Sequence, residues 1–149
     1  MREIIREYRE AYSRAWRDHS RPYPGVLELL EGLKVRSVRS AVLSNKSHSF
    51  TETMTRELLP FDFDIVRGAL PGVPFKPDPS AALRIASEMG VPPAGFVFVG
   101  DADIDMETAR AAGMYPAGAL WGFRDAANLK AGGASVLLAS PGDLLRLFD

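Results

Sequence analysis

Residues 97–105 read Val97-Phe98-Val99-Gly100-Asp101-Ala102-Asp103-Ile104-Asp105, an apolar run that ends in a glycine and three acidic residues. A helical pattern follows at residues 106–112. Ligands of open α/β sheets collect at the carboxyl ends of the strands. Asp101 and Asp105 stand four residues apart across the start of the helix, so their carboxylates can converge on a hard cation such as Mg²⁺. The alternative is that one of them caps the helix, and this segment alone leaves both interpretations open.

Outward from this stretch, apolar runs of strand length alternate with helical patterns. Strands are predicted at residues 40–43, 63–67 and 96–99, with weaker candidates at 115–120 and 135–138. Helices are predicted at residues 2–19, 26–33, 49–58, 79–89, 106–112 and 141–147. Strands that alternate with helices of this length are typical of a mainly parallel sheet covered on both faces. The predicted fold class is therefore α/β.

Polar side chains follow three of the predicted strands. Ser44 and Asn45 come after the first, Lys76 lies in the loop after the second, and Asp101 and Asp105 come after the third. Because the carboxyl ends of parallel strands face the same way, we expect these five residues to share one edge of the sheet. A hydroxyl, an amide, a lysine and a pair of acids around one pocket suit a phosphate group and a metal ion.

Each of these residues also has a structural interpretation. Short polar residues such as Ser44 and Asn45 often form a helix-capping turn, and a single lysine such as Lys76 is usually solvated. Lys46 is expected to be a solvated charge. Three further acids, Asp78, Asp103 and Asp125, are expected to cap helices or face solvent. The two histidines, His19 and His48, are expected to have no metal-binding or general-base role.

Composition excludes several classes of protein. The 149 residues are 46% hydrophobic and 25% charged, as in one compact globular domain. The formal net charge of −1 gives no reason to expect nucleic acid as a partner. No apolar run approaches the roughly 18 residues of a membrane span, the amino terminus does not resemble a signal peptide, and there are no cysteines. We therefore expect a cytoplasmic protein without a membrane partner.

Taken in order, the motifs resemble those of the haloacid dehalogenase superfamily, and within it the phosphoglycolate phosphatase-like branch. The first matching segment is Pro24-Gly25-Val26 with Leu29-Leu30, and the second is Leu43-Ser44-Asn45-Lys46. The third is Lys76-Pro77-Asp78-Pro79, and the fourth runs from Gly100-Asp101 through Asp105, Ala109 and Ala112 to Gly113. The resemblance covers nearly the whole chain, and its specificity comes from four weak motifs in the right order.

The resemblance implies a Mg²⁺-dependent phosphatase that acts on small phosphorylated metabolites through an aspartyl-phosphate. By this resemblance Ser44 and Asn45 hold the phosphoryl group, and Lys76 steadies the nucleophile and the phosphate. Asp101 ligates Mg²⁺, and Asp105 supports the metal or its water. It also implies a Rossmann-like parallel sheet with flanking helices, in which residues 1–22 are a remnant of a helical cap and residues 23–149 are an incomplete α/β core.

One family motif is missing. The Asp-x-Asp-Gly-Thr run that carries the nucleophile and the acid/base at the end of the family's first strand does not occur in this chain. The resemblance therefore predicts the carboxyl-terminal portion of such an enzyme, without the first strand or most of the cap, and with little activity alone. Since that strand lies in the middle of the family's sheet, its loss predicts either a gap of about 10 Å, two strand spacings, or direct pairing of its neighbours.

Unpaired strand edges favour pairing with another chain. We therefore expect a homo-oligomer, a domain swap or a missing amino-terminal half, with Tyr8, Tyr12 and Trp16 exposed or packed on a neighbour. The alternative function is a non-catalytic interaction module or the complementing half of a split enzyme. A phospho-acceptor receiver domain fits less well, because Lys76 precedes the acidic cluster instead of following it.

Overall fold

The computed structural model describes residue 6, residues 15–18 and residues 20–149. Residues 15–18 are helical, as predicted, and the rest of that predicted helix apart from residue 6, with Tyr8 and Tyr12, lies outside the described residues. Five helices follow: α1 Val26–Val35, α2 His48–Leu58, α3 Ser80–Met89, α4 Asp103–Ala112 and α5 Ala126–Gly132. The strands are β1 Ala41–Ser47, β2 Ile65–Ala69, β3 Val97–Gly100, β4 Tyr115–Ala119 and β5 Val136–Leu138. Two 3₁₀ segments, Pro93–Gly95 and Pro141–Phe148, complete the order.

The strands form two separate parallel sheets. One contains β1 and β2, and the other contains β3, β4 and β5 in that order. Helices connect successive strands, as parallel pairing requires, and α2 and α4 pack against the strands they join. The predicted α/β class is confirmed.

A gap separates β1 from β3. The two strands do not pair with each other, and a cavity of about 350 Å³ lies where a strand between them would run. Its walls include Ala41 and Leu43 of β1 and Val97 and Val99 of β3. Of the two arrangements predicted for the missing strand, the structure therefore has the open gap. We call this cavity the β1–β3 slot.

Helix α1 and the last 3₁₀ segment cover one side of the sheets. Leu29, Leu30 and Leu33 of α1 form a buried cluster with Leu144. A side chain at Gly32 would overlap Leu145, so this glycine lets the two segments approach closely. Leu27 of the same helix lies on its outer side and is 46% exposed.

Helices α3 and α4 meet through small side chains and form a second cluster. Its buried members are Ala82, Ala86, Ala109, Ala112 and Met114, with Leu43, Phe96 and Phe98 packed against them. Alanines at these positions allow the two helices to lie close together over the strands. The carboxyl ends of β1 and β3 are thereby held on the same side of the molecule.

Of the two expectations for Trp16, exposed or packed on a neighbour, exposure is wrong. Trp16 is only 3% exposed, and its ring meets that of Phe50 on α2 edge to face, with 5.7 Å between the centroids. Within the part of the chain that the structure describes, no helix is both long and apolar enough to cross a bilayer.

Candidate phosphate and metal site

An ion pair between Lys76 and Asp105 joins the two sheets at their carboxyl ends. Lys76 Nζ lies 2.6 Å from Asp105 Oδ1, and the two side chains are only 12% and 9% exposed. Lys76 comes from the loop between β2 and α3, whereas Asp105 lies in the first turn of α4. The pair therefore fixes the β2–α3 loop against the start of α4.

Asp105 also caps α4. Its Oδ2 accepts hydrogen bonds from the backbone N–H groups of Asp101 at 3.2 Å and Ala102 at 3.3 Å. A side chain at Gly100 would overlap that of Asp105, so the glycine at the end of β3 makes room for this carboxylate. The helix-cap interpretation is correct for Asp105, and the same side chain also holds Lys76.

Asn45 aligns the backbone of Lys76. Its Oδ1 accepts from Lys76 N–H at 2.9 Å, and its Nδ2 donates to Lys76 O at 3.2 Å. This reciprocal pair links the end of β1 to the loop that carries Lys76. Because both polar atoms of the Asn45 side chain bond the Lys76 backbone, Asn45 fixes the position of the lysine main chain.

Asp101 is held by the turn after β4. Its Oδ2 accepts from Phe123 N–H at 3.0 Å, its backbone O accepts from Arg124 N–H at 3.0 Å, and Gly122 packs against its side chain. Among the described residues, Asp101 Oδ1 has no hydrogen-bond or ion-pair partner. Asp101 thus keeps one carboxylate oxygen available to a ligand.

The remaining predicted site residue, Ser44, makes a local turn. Its Oγ accepts from Lys46 N–H at 3.1 Å. It shares the end of β1 with Asn45, but no hydrogen bond joins it to Lys76, Asp101 or Asp105 in the described part of the chain. The Lys46 ammonium lies against the Phe50 ring, 5.6 Å from its centroid, on the face of α2.

Three other polar residues have structural positions. Asp78 accepts from Ser80 N–H at 2.8 Å, and the hydrogen bonds from Ser80 lower the pKa of Asp78. Asp125 caps α5 by accepting from Asn128 N–H at 2.9 Å. His48 Nδ1 accepts from Gly68 N–H at 3.1 Å, so this ring joins α2 to β2. His19 lies outside the described residues.

The partners of Asp101 were not predicted from the sequence. Gly122 and Phe123 follow a weak strand signal, and their contribution comes from backbone conformation and not from side-chain chemistry. The role of Asn128 was not predicted either. Its side-chain Oδ1 accepts from Asp103 N–H at 3.0 Å and so holds the start of α4 against α5.

The carboxylates of Asp101 and Asp105 suit a cation that takes few of its ligands from the protein. No group of three or more histidine, cysteine, aspartate or glutamate side chains comes together in the described ranges. Mg²⁺ is commonly bound by one or two carboxylates together with water and substrate phosphate. Asp101 fits as a direct ligand through Oδ1, whereas both oxygens of Asp105 already accept hydrogen bonds.

Comparisons with known proteins show the family of the chain. The family model of haloacid dehalogenase-like hydrolases matches residues 2–113. The phosphoglycolate phosphatase of Aquifex aeolicus is 32% identical over 152 residues, which cover 96% of this chain and 70% of that protein. The N-acetylmuramic acid 6-phosphate phosphatase of Pseudomonas aeruginosa is 30% identical over 148 residues, with 98% and 66% covered.

Solved structures give the same result. The crystal structure of a predicted phosphoglycolate phosphatase from Haemophilus somnus 129PT superposes with a TM-score of 0.85 at 25% identity, over 97% of this chain and 64% of that one. The chain thus spans about two thirds of the length of these relatives. The matched family model and the shared α/β fold show that the chain belongs to the haloacid dehalogenase-like hydrolases, and it is similar to their phosphoglycolate phosphatases.

Proposed function

We propose that this chain forms the carboxyl-terminal part of a Mg²⁺-dependent phosphatase that hydrolyses small phosphate monoesters. The observation that carries the proposal is the buried Lys76–Asp105 pair, with Asn45 on its backbone and Asp101 beside it. A cation, a carboxylate with a free oxygen and backbone amides at a helix start are the groups that phosphoryl transfer requires. The relatives supply the substrate class, since those compared are phosphatases for phosphoglycolate and for N-acetylmuramic acid 6-phosphate.

Each residue has one part in this proposal. The Ser44 hydroxyl and the end of β1 at Asn45 bind the phosphoryl oxygens. Lys76 offsets negative charge on the phosphate, and Asp105 holds the ammonium in position. Asp101 ligates Mg²⁺, which when bound withdraws charge from the phosphoryl group as it is transferred.

The nucleophile is not supplied by a recognisable motif of this chain. Hydrolysis through an aspartyl-phosphate divides one displacement into two easier steps, but it needs a carboxylate facing the phosphate. Asp105 is neutralised by Lys76, and Asp101 is assigned to the metal. We therefore expect the chain alone to bind Mg²⁺ weakly and to turn over substrate at a negligible rate.

Isothermal titration of Mg²⁺ at millimolar concentration tests the site directly. We expect weak binding that Asp101→Asn removes and that Asp62→Asn, a change at an exposed aspartate between α2 and β2, preserves. Hydrolysis of p-nitrophenyl phosphate and phosphoglycolate is measured on the same three proteins. Absence of Mg²⁺ binding, or equal binding by Asp101→Asn, would refute the metal site. Turnover that depends on Asp101 would refute the statement that the nucleophile is missing.

A further inference from the structure

We propose that Arg124 is a specificity-determining residue, whose guanidinium binds a carboxylate on the organic part of the phosphate ester. The inference rests on the proposed function and names the substrate class of that same site. Its basis is an arginine that has no carboxylate partner in the described part of the chain and that lies in the turn holding Asp101. This turn follows β4 and ends at Asp125, the cap of α5.

The turn after β4 brings Arg124 close to the proposed metal ligand. Arg124 N–H donates to the backbone O of Asp101 at 3.0 Å, and the neighbouring Phe123 N–H donates to Asp101 Oδ2 at 3.0 Å. A side chain at Gly122 would overlap that of Asp101, so the turn lies directly against this residue. The side chain of Arg124 therefore begins one backbone hydrogen bond away from Asp101, where a long arginine stem can reach a ligand bound beside that carboxylate.

Arg124 carries a positive charge that no described residue neutralises. The nearby acids are engaged elsewhere, since Asp125 caps α5 and Asp105 pairs with the site lysine. Among the residues that the structure describes, the Arg124 guanidinium takes part in no ion pair or hydrogen bond. Arg67, by contrast, is paired with a carboxylate. The charge of Arg124 is thus available to an anionic ligand.

The ring of Phe123 supports the guanidinium without occupying its donors. The guanidinium carbon of Arg124 lies over this ring, 4.5 Å from its centroid, and arginine is attracted to an aromatic face. Phe123 is 73% exposed, so its ring is a surface platform and not part of either apolar cluster. An aromatic ring cancels no charge, and the N–H groups of the guanidinium lie in its own plane, where they remain free to donate.

The chemistry of this group selects a carboxylate. The planar guanidinium fork matches the two oxygens of a carboxylate and can donate to both. A second phosphate also fits the fork, but at neutral pH it brings almost two negative charges to a single arginine beside Asp101 and Asp125. A carboxylate brings one charge and is matched by one guanidinium. The substrate class is therefore a small phosphate monoester that carries a carboxylate a few bonds from the ester oxygen.

Binding of two matched esters tests the proposal without phosphatase activity. Phosphoglycolate and ethyl phosphate have the same two-carbon skeleton, and only phosphoglycolate has a carboxylate. Their dissociation constants are measured with Mg²⁺ at constant ionic strength, by NMR titration of the whole ¹⁵N-labelled chain. The same titrations are made on Arg124→Gln, which preserves both hydrogen bonds to Asp101 because they use backbone N–H groups. Arg56→Gln is the control, since Arg56 is exposed in the last turn of α2, an eleven-residue helix that begins directly after β1.

The affinity ratio of the two esters decides the role of Arg124. We expect the original chain and Arg56→Gln to bind phosphoglycolate at least about fivefold more tightly than ethyl phosphate, as a hydrogen-bonded charge pair allows. Arg124→Gln should bring the two affinities together. Equal affinities in the original chain, or a preference that survives in Arg124→Gln, would refute the role of Arg124, while Mg²⁺-dependent binding of ethyl phosphate would still support the proposed phosphate site. Binding of neither ester would refute both.

Discussion

Removing the Lys76 ammonium is expected to destabilise the protein even though its backbone contacts remain. Lys76→Met keeps the length and apolar stem of the side chain and preserves both hydrogen bonds to Asn45, which use the Lys76 backbone. It leaves Asp105 as a carboxylate that is 9% exposed and has lost its counter-ion. Breaking one partner of a buried ion pair costs about 3–5 kcal/mol. Because Asp105 still accepts from two backbone amides, the lower end, about 3 kcal/mol, is expected.

Urea unfolding at neutral pH and thermal scanning measure this loss. For a chain of about this size, 1 kcal/mol corresponds to roughly 2–4 °C in Tm, so the melting temperature should fall by about 6–12 °C. Lys130→Met is the control, because Lys130 is exposed on α5, and it should change stability by less than about 0.5 kcal/mol.

A double-mutant cycle separates the ion pair from packing. Asp105→Asn removes the charge but keeps an oxygen that can accept from the backbone of residues 101 and 102. The double variant should therefore be more stable than the sum of the single losses predicts, by at least about 1 kcal/mol. A stability loss below about 0.5 kcal/mol for Lys76→Met, or strict additivity in the cycle, would refute the conclusion that the Lys76–Asp105 ion pair holds the two sheets together.

Two further predictions concern the surface and the glycine at the end of β3. Arg67 donates two hydrogen bonds to the Glu88 carboxylate, at 2.7 and 2.8 Å, and these lower the pKa of Glu88. The pair therefore stabilises the fold at pH values above the unfolded-state pKa of Glu88. This contribution is lost as the pH falls through the folded-state pKa. Glu88→Gln should therefore lower the urea midpoint more at about pH 7 than at about pH 3, and an equal decrease at both would contradict the reasoning. Gly100→Ala should lower the free energy of unfolding by about 1–3 kcal/mol, because the new methyl group overlaps Asp105. Gly142→Ala is the control and should not change stability, because its methyl group meets nothing within 4 Å. Similar losses for both variants in thermal unfolding would count against the steric argument.

The sequence predicts the fold well where periodicity is strong. The alternation of strands and helices gives the α/β class, and α3 is predicted almost to the residue because Gly90 in a left-handed conformation ends it. The end of β1 is different. The polar residues Ser44 and Asn45 suggest a turn, but the strand continues to Ser47, with a register shift against β2 after Leu43. Tertiary pairing overrides local preference there. Helix α5 was missed because its seven residues are too few for a helical period to be recognised.

The candidate site is predictable by position but not by contact. Parallel strand order brings Asn45, Lys76, Asp101 and Asp105 to one edge, as the sequence pattern indicates. Which atoms meet depends on side-chain rotamers and on turns outside the motifs. Asn45 contacts the backbone of Lys76 and not a side chain, and Asp101 is held by an N–H group of residue 123. Neither contact leaves a signal in residue type or spacing.

The packing of α1 on the end of the chain has a consequence for the order of folding during synthesis. Arg36, at the end of α1, lies 2.7 Å from Asp149 across 113 residues of sequence. A helix of ten residues is marginal in water without a packing partner, since isolated helices need about 12–15 residues. Domains emerge from the ribosome amino terminus first, so α1 is made long before residues 141–148 that bury its leucines. Helix α1 thus depends on a segment that is translated much later, and a stop codon just before residue 141 would deprive the nascent protein of Leu144 and Leu145, which pack in the cluster of the α1 leucines.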